Sequence, residues 1–493
     1  MMNILLIYPE FPDTFWSLTY ALSFIGKKAA FPPLGLITVA ALLPEKWAKR
    51  LKDTNVERLK DKDIIWADLV FIGGMTVQRT SARQIIDRCK ALNVPVVAGG
   101  PLFTSEPEEF RDVDHLVMNE AELTLPEFLS DLGKGQAQKI YRASGFCDPD
   151  DTPVPLWGLL NMKRYASMSF QFSRGRPFNC DFCNVTALFG HIPRLKKASR
   201  ITLELDHIYA AGWCGSIFFV DDNFIGNKGY LKKHLLPALI EWRKDKKGCV
   251  FFTESSINLA DDPELLDMMV KAGFDSVFIG IESPDEGCLT ECHKTQNKNR
   301  DLLESVGIIH RSGLQVMGGF IVGFDSDGPS IFQRQIDFIQ KSGIVTAMVG
   351  MLQAIPGTRL FDRLQQESRV AESFTGDNVD GTTNIIPRMG MENLFKGYQS
   401  IMRQIYQPKN YYRRVRTLFL ELKAPEIIAP LDFQRFLSFF RAALRLGVFG
   451  KERFHYWYLL LWTLIRKPKL VSTAVTLSIY GYHYRKICER YIY

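Results

Sequence analysis

Nowhere in its 493 residues does this chain carry an apolar run long enough to cross a bilayer. The longest run near the C-terminus, residues 456–465, is about half of what a span needs. The start, "MMNILLIYPEF", lacks a basic leader and a small-residue cleavage site. It reads as a buried strand, and the protein is expected in the cytoplasm. Cysteine is scarce, nine in all, which without a secretory signal favours reduced thiols over a disulfide framework. No Gly-x-Gly-x-x-Gly follows the first strand, which argues against a nicotinamide-binding fold. Neither charge sign dominates: the net +7 is too small an excess to argue for a nucleic-acid partner, and none is expected. His-Glu-x-x-His, histidines four apart, internal repeats and low-complexity tracts are all missing.

What is present is a globular composition, 46% hydrophobic and 23% charged, with length for two or three domains. In the first third, short aliphatic runs at 3–9, 69–74, 94–100 and 115–118 alternate with helical patterns such as "TSARQIIDRCKAL". That order implies a parallel sheet covered on both faces. A Pro- and Asp-rich stretch, "CDPDDTPVP" (147–155), reads as a linker. Six further strand candidates follow, at 168–172, 216–220, 249–254, 276–281, 315–323 and 346–352, with amphipathic helices between most of them. Six β/α units imply an open, incomplete barrel, since a closed one uses eight. The last part is aromatic, basic and helical. The expected domains are 1–150, 151–370 and 371–493.

The chemistry starts from "SRGRPFNCDFC" (173–183). Cys180 and Cys183 sit on a Gly–Pro loop after the first barrel strand, and Arg176 stands four residues before Cys180. Taken alone, Cys-x-x-Cys admits a redox dithiol, half a zinc site or part of an iron–sulfur ligand set. No second Cys-x-x-Cys occurs, and Cys214, Cys249, Cys288 and Cys292 do not lie at zinc-ribbon spacing.

This loop resembles the cluster loop of radical S-adenosylmethionine enzymes, Cys-x-x-x-Cys-x-aromatic-Cys. Further stretches resemble the same family at later strand ends: "FFVDDNF" (218–224), "GIES" (280–283), "GGFIVGF" (318–324) and "IPGT" (355–358). The N-terminal part resembles the cobalamin-binding domain of the cobalamin-dependent branch. "FPPLGL" (31–36), "GGMT" (73–76), "AGGP" (98–101) and "NEAE" (119–122) carry that likeness. An Asp-x-His-x-x-Gly signature is absent, as is common in this branch. The C-terminal part is similar to the tail of the subgroup that includes hopanoid C-2 methylases. The implied fold class is α/β: a Rossmann-like cobalamin-binding domain, a partial (β/α)6 TIM-type barrel and a helical C-terminal domain.

The resemblance implies three cofactors: a 4Fe–4S cluster, S-adenosylmethionine and cobalamin. Cys180 and Cys183 are the implied cluster ligands, and Arg176 occupies the third ligand position. The implied S-adenosylmethionine contacts are Phe182, Asp221, Asp222, Asn223, Glu282, Ser283 and Gly319. Those for cobalamin are Pro33, Leu34, Gly35, Gly73, Gly74, Thr76, Gly99, Gly100 and Glu120. The implied activity is methylation of an unactivated carbon, of a hopanoid, another lipid or a small molecule, with a flavodoxin or ferredoxin as electron donor. Two alternatives stand: a non-catalytic cobalamin-binding protein with a degenerate loop, and radical ring formation or rearrangement.

Arg176 departs from the pattern. A guanidinium is always protonated and has no lone pair to offer, so it cannot replace a thiolate. Three accounts are open: loss of radical chemistry, a variant whose active form has Cys at 176, or recruitment of another thiol, for which Cys214 lies at the wrong end of its strand. Plainer readings accompany several residues. Asp221 and Asp222 have a plainer reading as an N-cap and loop acids, beside which the ligand role is favoured because Asn223 and a strand end accompany them. Cys288, Cys292 and His293 read as an ordinary loop. The glycines of 318–324 read as relief of crowding. The basic aromatic tail reads as a helical cap on the barrel, or as a lid or membrane-surface element.

Overall fold

In the computed structural model, which describes residues 2–371, 375–377, 380–424 and 433–493, the first strand is covered on both faces. Within β1 (Asn3–Tyr8), Ile4 and Leu6 pack with Phe128, whereas Leu5 and Ile7 pack on the opposite side with Ile86 and Phe103. Two-sided burial explains the unbroken apolar run. β1 lies in a six-stranded sheet of order β2-β1-β3-β4-β5-β6, parallel throughout. Its other members are β2 (Ala48–Asp53), β3 (Leu69–Gly73), β4 (Val96–Gly99), β5 (His115–Val117) and β6 (Ile140–Tyr141).

The second sheet is the open barrel. After β7 (Ser167–Phe170) the chain makes a small antiparallel ribbon, β8 (Ser173–Arg174) with β9 (Arg194–Leu195). It then continues through β10 (Ser216–Phe219), β11 (Val250–Ser255), β12 (Phe274–Glu282), β13 (Gln315–Val322) and β14 (Ala347–Met351). The order β14-β13-β12-β11-β10-β7 is parallel and does not close. Burial alternates along β10, β11, β13 and most of β12, whereas β7 and β14 are buried throughout. Ile217, Phe219, Phe251, Val277 and Ile279 point outward and share one core with helix residues such as Leu205 and Leu265. Phe218, Phe252 and Phe278 therefore point into the lumen, where they are half-buried.

The first domain also helps to build the barrel. Backbone hydrogen bonds join residues 28–30 to 164–167, just ahead of β7; Ala166 N, for example, donates to Ala29 O at 3.0 Å. The C-terminal helices close the other flank. Tyr406 hydroxyl donates to Ala347 O at 2.5 Å, and the buried Arg414 donates to Ile405 O (2.9 Å), Val345 O (3.2 Å) and Gln340 Oε1 (2.7 Å). Phe15 stacks on Tyr484 with ring centroids 5.1 Å apart, tying the N-terminal segment to the helix Val471–Tyr491.

Candidate functional site

The loop that carries Cys180 and Cys183 leaves the C-terminal end of β7 and is pinned from four directions. Asp221, fully buried at the end of β10, accepts hydrogen bonds from Phe172 N (3.2 Å), from Ser173 N and from Ser173 Oγ (2.5 Å). Arg174 reaches the first domain, where it pairs with Glu120 (3.1 Å) and Glu122 (2.7 Å); Arg194 joins Glu120 at 3.0 Å. Leu360 N donates to Asp181 O (3.0 Å) from the start of the helix Arg359–Gln366, which Thr358 caps by accepting from Phe361 N. Finally, Asp181 N donates to Cys292 O at 3.3 Å. Gly175 permits the turn: its φ is +92°, and a β-carbon there would lie 2.6 Å from Ile192 O.

Inside this frame Arg176 is half-buried. Nη1 lies 3.5 Å from Cys183 Sγ, and Nε is buried without a hydrogen-bond partner. Burial opposes its charge, but Cys183, Cys180, Glu282 and Asp222 around it outweigh that and hold its pKa above the usual value. Burial pushes Asp221 up to about 7, Asp222 to about 6 and Glu254, at the end of β11, to about 8. Arg176 pulls the last two back down. Cys183 is raised by burial, again against the pull of Arg176. The barrel mouth is thus an acidic, desolvated chamber with one guanidinium between its carboxyls and its thiols.

Of the residues singled out in the sequence, Asp222 and Glu282 face that chamber. Glu282 ends β12 in a left-handed conformation (φ +63°), and Lys294 Nζ lies 2.5 Å from its Oε1. Asn297 supports the strand end by donating to the carbonyls of Gly280 and Ile281, both at 3.0 Å. Asn223 is committed elsewhere, accepting from Ser256 N (3.1 Å) and Oγ (3.2 Å). Ser283 is buried and accepts from Asp285 N. Phe182 packs edge-on to Phe324. Gly319 is a crowding glycine, since a β-carbon there would sit 3.0 Å from the Phe278 ring.

Sequence reasoning missed Glu254, Lys294 and the approach of Cys292 to Cys180. Glu254 ends a strand, a signal that was there to be used. Lys294 and Cys292 lie beyond the short helix Glu286–Glu291, and no spacing rule brings them back to β12. Burial raises the Cys292 thiol to about 12, with Glu282 and Cys180 among its neighbours.

A cluster held by three thiolates does not fit these residues. Two thiols and a guanidinium occupy its ligand positions, and among the described residues no three His, Cys, Asp or Glu side chains gather closely enough to hold a metal ion. Cobalamin fits better. Pro33, Leu34 and Gly35 open the helix Leu34–Leu42, and the other residues assigned to it lie at or just beyond the C-terminal ends of β3, β4 and β5. Gly35 faces open space, with nothing within 4 Å of where its β-carbon would be. Gly99 is held 2.6 Å from Val117 O by the same measure, and Gly100 takes φ +92° against Gly74, so this edge of the sheet is bare backbone. Thr76 starts a short helical turn there. Glu120 is the exception, because its carboxylate is already taken by Arg174, Arg194 and Cys147 N. A cavity of about 510 Å³ opens between the first domain, at Arg79 and Glu106, and the segment after β14, at Pro356, Phe361 and Asn384.

Comparison with known proteins gives a consistent set of likenesses. Residues 170–339 match the Radical SAM superfamily, and residues 358–492 match a domain of unknown function, DUF4070. The chain is 40% identical to an uncharacterized methyltransferase, sll1242, of Synechocystis sp., over 100% of this chain and 93% of that one. It is 32% identical to the hopanoid C-2 methylase of Rhodopseudomonas palustris, over 94% of this chain and 90% of the relative. Among solved structures, the cobalamin-dependent radical enzyme OxsB, with aqua-cobalamin and S-adenosylmethionine bound, matches with a TM-score of 0.65. That match has 14% identity and covers 99% of this chain and 79% of OxsB. The methyltransferase TsrM of Kitasatospora setae, with cobalamin and a [4Fe-4S] cluster bound, matches with a TM-score of 0.62 at 13% identity, over 99% of each chain.

Proposed function

The chain belongs to the cobalamin-dependent radical S-adenosylmethionine methyltransferase family, and on that premise we propose that it is built to methylate an unactivated carbon of a hopanoid or another lipid. The observation that carries the substrate class is the lumen wall. Phe218 and Phe252 stack at 4.7 Å and 8°, Phe278 lies beside Glu254 on the same face, and Trp16 and Phe31 of the first domain reach them at 5.1 and 5.3 Å. A half-buried aromatic wall next to the acidic chamber suits an apolar substrate far better than a charged one. The Rhodopseudomonas relative, a hopanoid C-2 methylase, points the same way.

Cobalamin, when bound, supplies a methyl carrier, and Gly35, Gly73, Gly74, Thr76, Gly99 and Gly100 are the residues that would hold it, with Pro33 and Leu34 at their edge. Asp222 and Glu282, lining the chamber, are the groups suited to bind the amino acid part and ribose of S-adenosylmethionine, with Phe182 and Gly319 nearby. Asp221 and Asn223 position the loops instead. A flavodoxin or ferredoxin remains the proposed electron donor.

Arg176 favours a second reading for the chain as it stands: a protein that binds cobalamin but does no radical chemistry. One experiment separates the two. After reconstitution with iron and sulfide, wild type and Arg176→Cys are assayed for 5′-deoxyadenosine and for methylation of hopanoids, other lipids and soluble compounds. The expected result is activity in Arg176→Cys alone. Methylation of soluble compounds but of no lipid would overturn the substrate class, and activity in wild type would overturn the role given to Arg176.

A further inference from the structure

The outermost helices carry apolar side chains on the face turned away from the protein. On the helix Arg453–Arg466, Tyr456, Leu459, Leu460 and Thr463 are buried. The opposite face shows Phe454, Trp457, Tyr458, Leu461, Leu464 and Ile465 at three- and four-residue spacing, with Phe454 75% and Ile465 79% exposed. The helix Phe433–Ala442 and its wider-turn continuation Ala443–Val448 add a stripe of every fourth residue: Phe436, Phe440, Leu444 and Val448, each more than half exposed. The two stripes adjoin. Trp457 Nε1 donates to Gly447 O at 2.9 Å, and a β-carbon on Gly447 would lie 2.8 Å from that indole nitrogen.

Exposed charge within this stretch of chain has one sign, and the nearest carboxylate from elsewhere is Glu489 of the last helix, 3.4 Å from Lys451. Arg445, Lys451, Arg453, Arg466 and Lys469 are exposed among these residues. The one carboxylate in the sequence between Phe436 and Leu470 is Glu452, which is 1% exposed and paired with Arg485 at 2.7 Å.

We propose that this face docks flat on an anionic phospholipid bilayer. A helix apolar on both sides is ordinarily buried in something. Arg453–Arg466 has 14 residues, too few to cross a membrane, and among the described residues no helix is long and apolar enough to do so. Lying in the interfacial plane, with rings at headgroup depth and cations on phosphates, satisfies both features. A second copy does not. A two-fold contact would press the same cations against each other, with no exposed carboxylate among the described residues of the face to meet them. The proposal rests on the lipid-substrate reading for its purpose, because a bilayer is where such a substrate resides; the binding itself needs no cofactor.

The test is sedimentation of the full chain with vesicles of phosphatidylcholine, alone or with phosphatidylglycerol added. Anionic lipid is expected to raise the bound fraction about tenfold or more, given about 1 kcal/mol per cation at the surface, and added salt to reverse the gain. The double variant Phe454→Ser, Ile465→Ser is expected to lose about tenfold in binding with an unchanged circular dichroism spectrum. Wild type that ignores anionic vesicles, or a double variant that binds as wild type does, overturns the proposal. So does a solution dimer that the double variant dissolves. Vesicle binding without lipid methylation by Arg176→Cys would overturn the substrate reading and leave this one standing.

Discussion

Arg176 neutralises part of a chamber that would otherwise hold Asp222, Glu254 and Glu282 with Lys294 as the nearest other cation. Removing the guanidinium therefore does two separable things: it frees ligand space and it leaves carboxyls unpaired. Arg176→Ala does only these two, whereas Arg176→Cys also provides a thiolate. After reconstitution, iron is expected near zero in wild type and in Arg176→Ala, and at about four atoms per chain in Arg176→Cys. Equal iron in the Ala and Cys variants would mean that space, not the third thiolate, is what the loop lacks. Arg174 plays the contrary role of fastener. Burial pushes Glu122 up, but the hydrogen bond and charge of Arg174 prevail and hold its carboxyl at about 2. Arg174→Met leaves Glu120 and Glu122 buried with less cation to pair them, and is expected to cost about 3–5 kcal/mol in denaturant unfolding. A loss within the error of the measurement would show that the junction relaxes and admits water.

Among the secondary-structure elements, the helix Leu302–Ser312 contains the clearest pH-sensitive group. His310 is fully buried, and neither ring nitrogen has a hydrogen-bond partner. Burial, with Arg311 nearby, lowers its pKa from 6.5 to about 3. The unfolded chain therefore takes up this proton first: the contribution is complete above pH 6.5 and is lost as pH falls toward 3. In His310→Leu the acid-side slope of stability is expected to fall by up to one proton, about 1.4 kcal/mol per pH unit; an unchanged slope would place the acid sensitivity elsewhere. Elements of this kind were legible when local signals agreed. The helix Pro263–Ala272 begins where Asp262 caps it, accepting from Leu265 N, and stops at Gly273 with φ +100°, as its acidic start and glycine end predict. β2 was not legible. AKRLKD lies on the sheet edge, with no apolar run to mark it, and β6 is only two residues long. At the site, the thiolate loop and the strand-end acids could be read from order along the chain. The Lys294–Glu282 and Arg174–Glu120 pairs could not, because each joins segments that only the tertiary fold brings together.

Across the whole molecule, Glu120, just past β5, meets Arg174, just past β7, and Arg194 in one buried ionic cluster, a second joint beside the backbone bonds of residues 28–30 with 164–167. The bare edge of the first sheet and the acidic chamber of the second are separate sites, built by different strands. Arg176 should disable one and spare the other. Gly35 offers the cleanest check, because it lies in the first turn of its helix with open space where a side chain would go. A β-carbon at this position meets no protein atom within 4 Å, so Gly35→Phe is expected to leave the unfolding midpoint within about 0.5 kcal/mol of wild type while adding bulk at the start of this helix. Cobalamin should co-elute with wild type and with Arg176→Cys alike, near one per chain, and should be lost from Gly35→Phe. Retention by Gly35→Phe would move the cobalamin site off this edge. Loss from wild type but not from Arg176→Cys would mean that the chamber and the sheet edge are coupled through the Arg174 joint, and that the substitution at 176 reaches both.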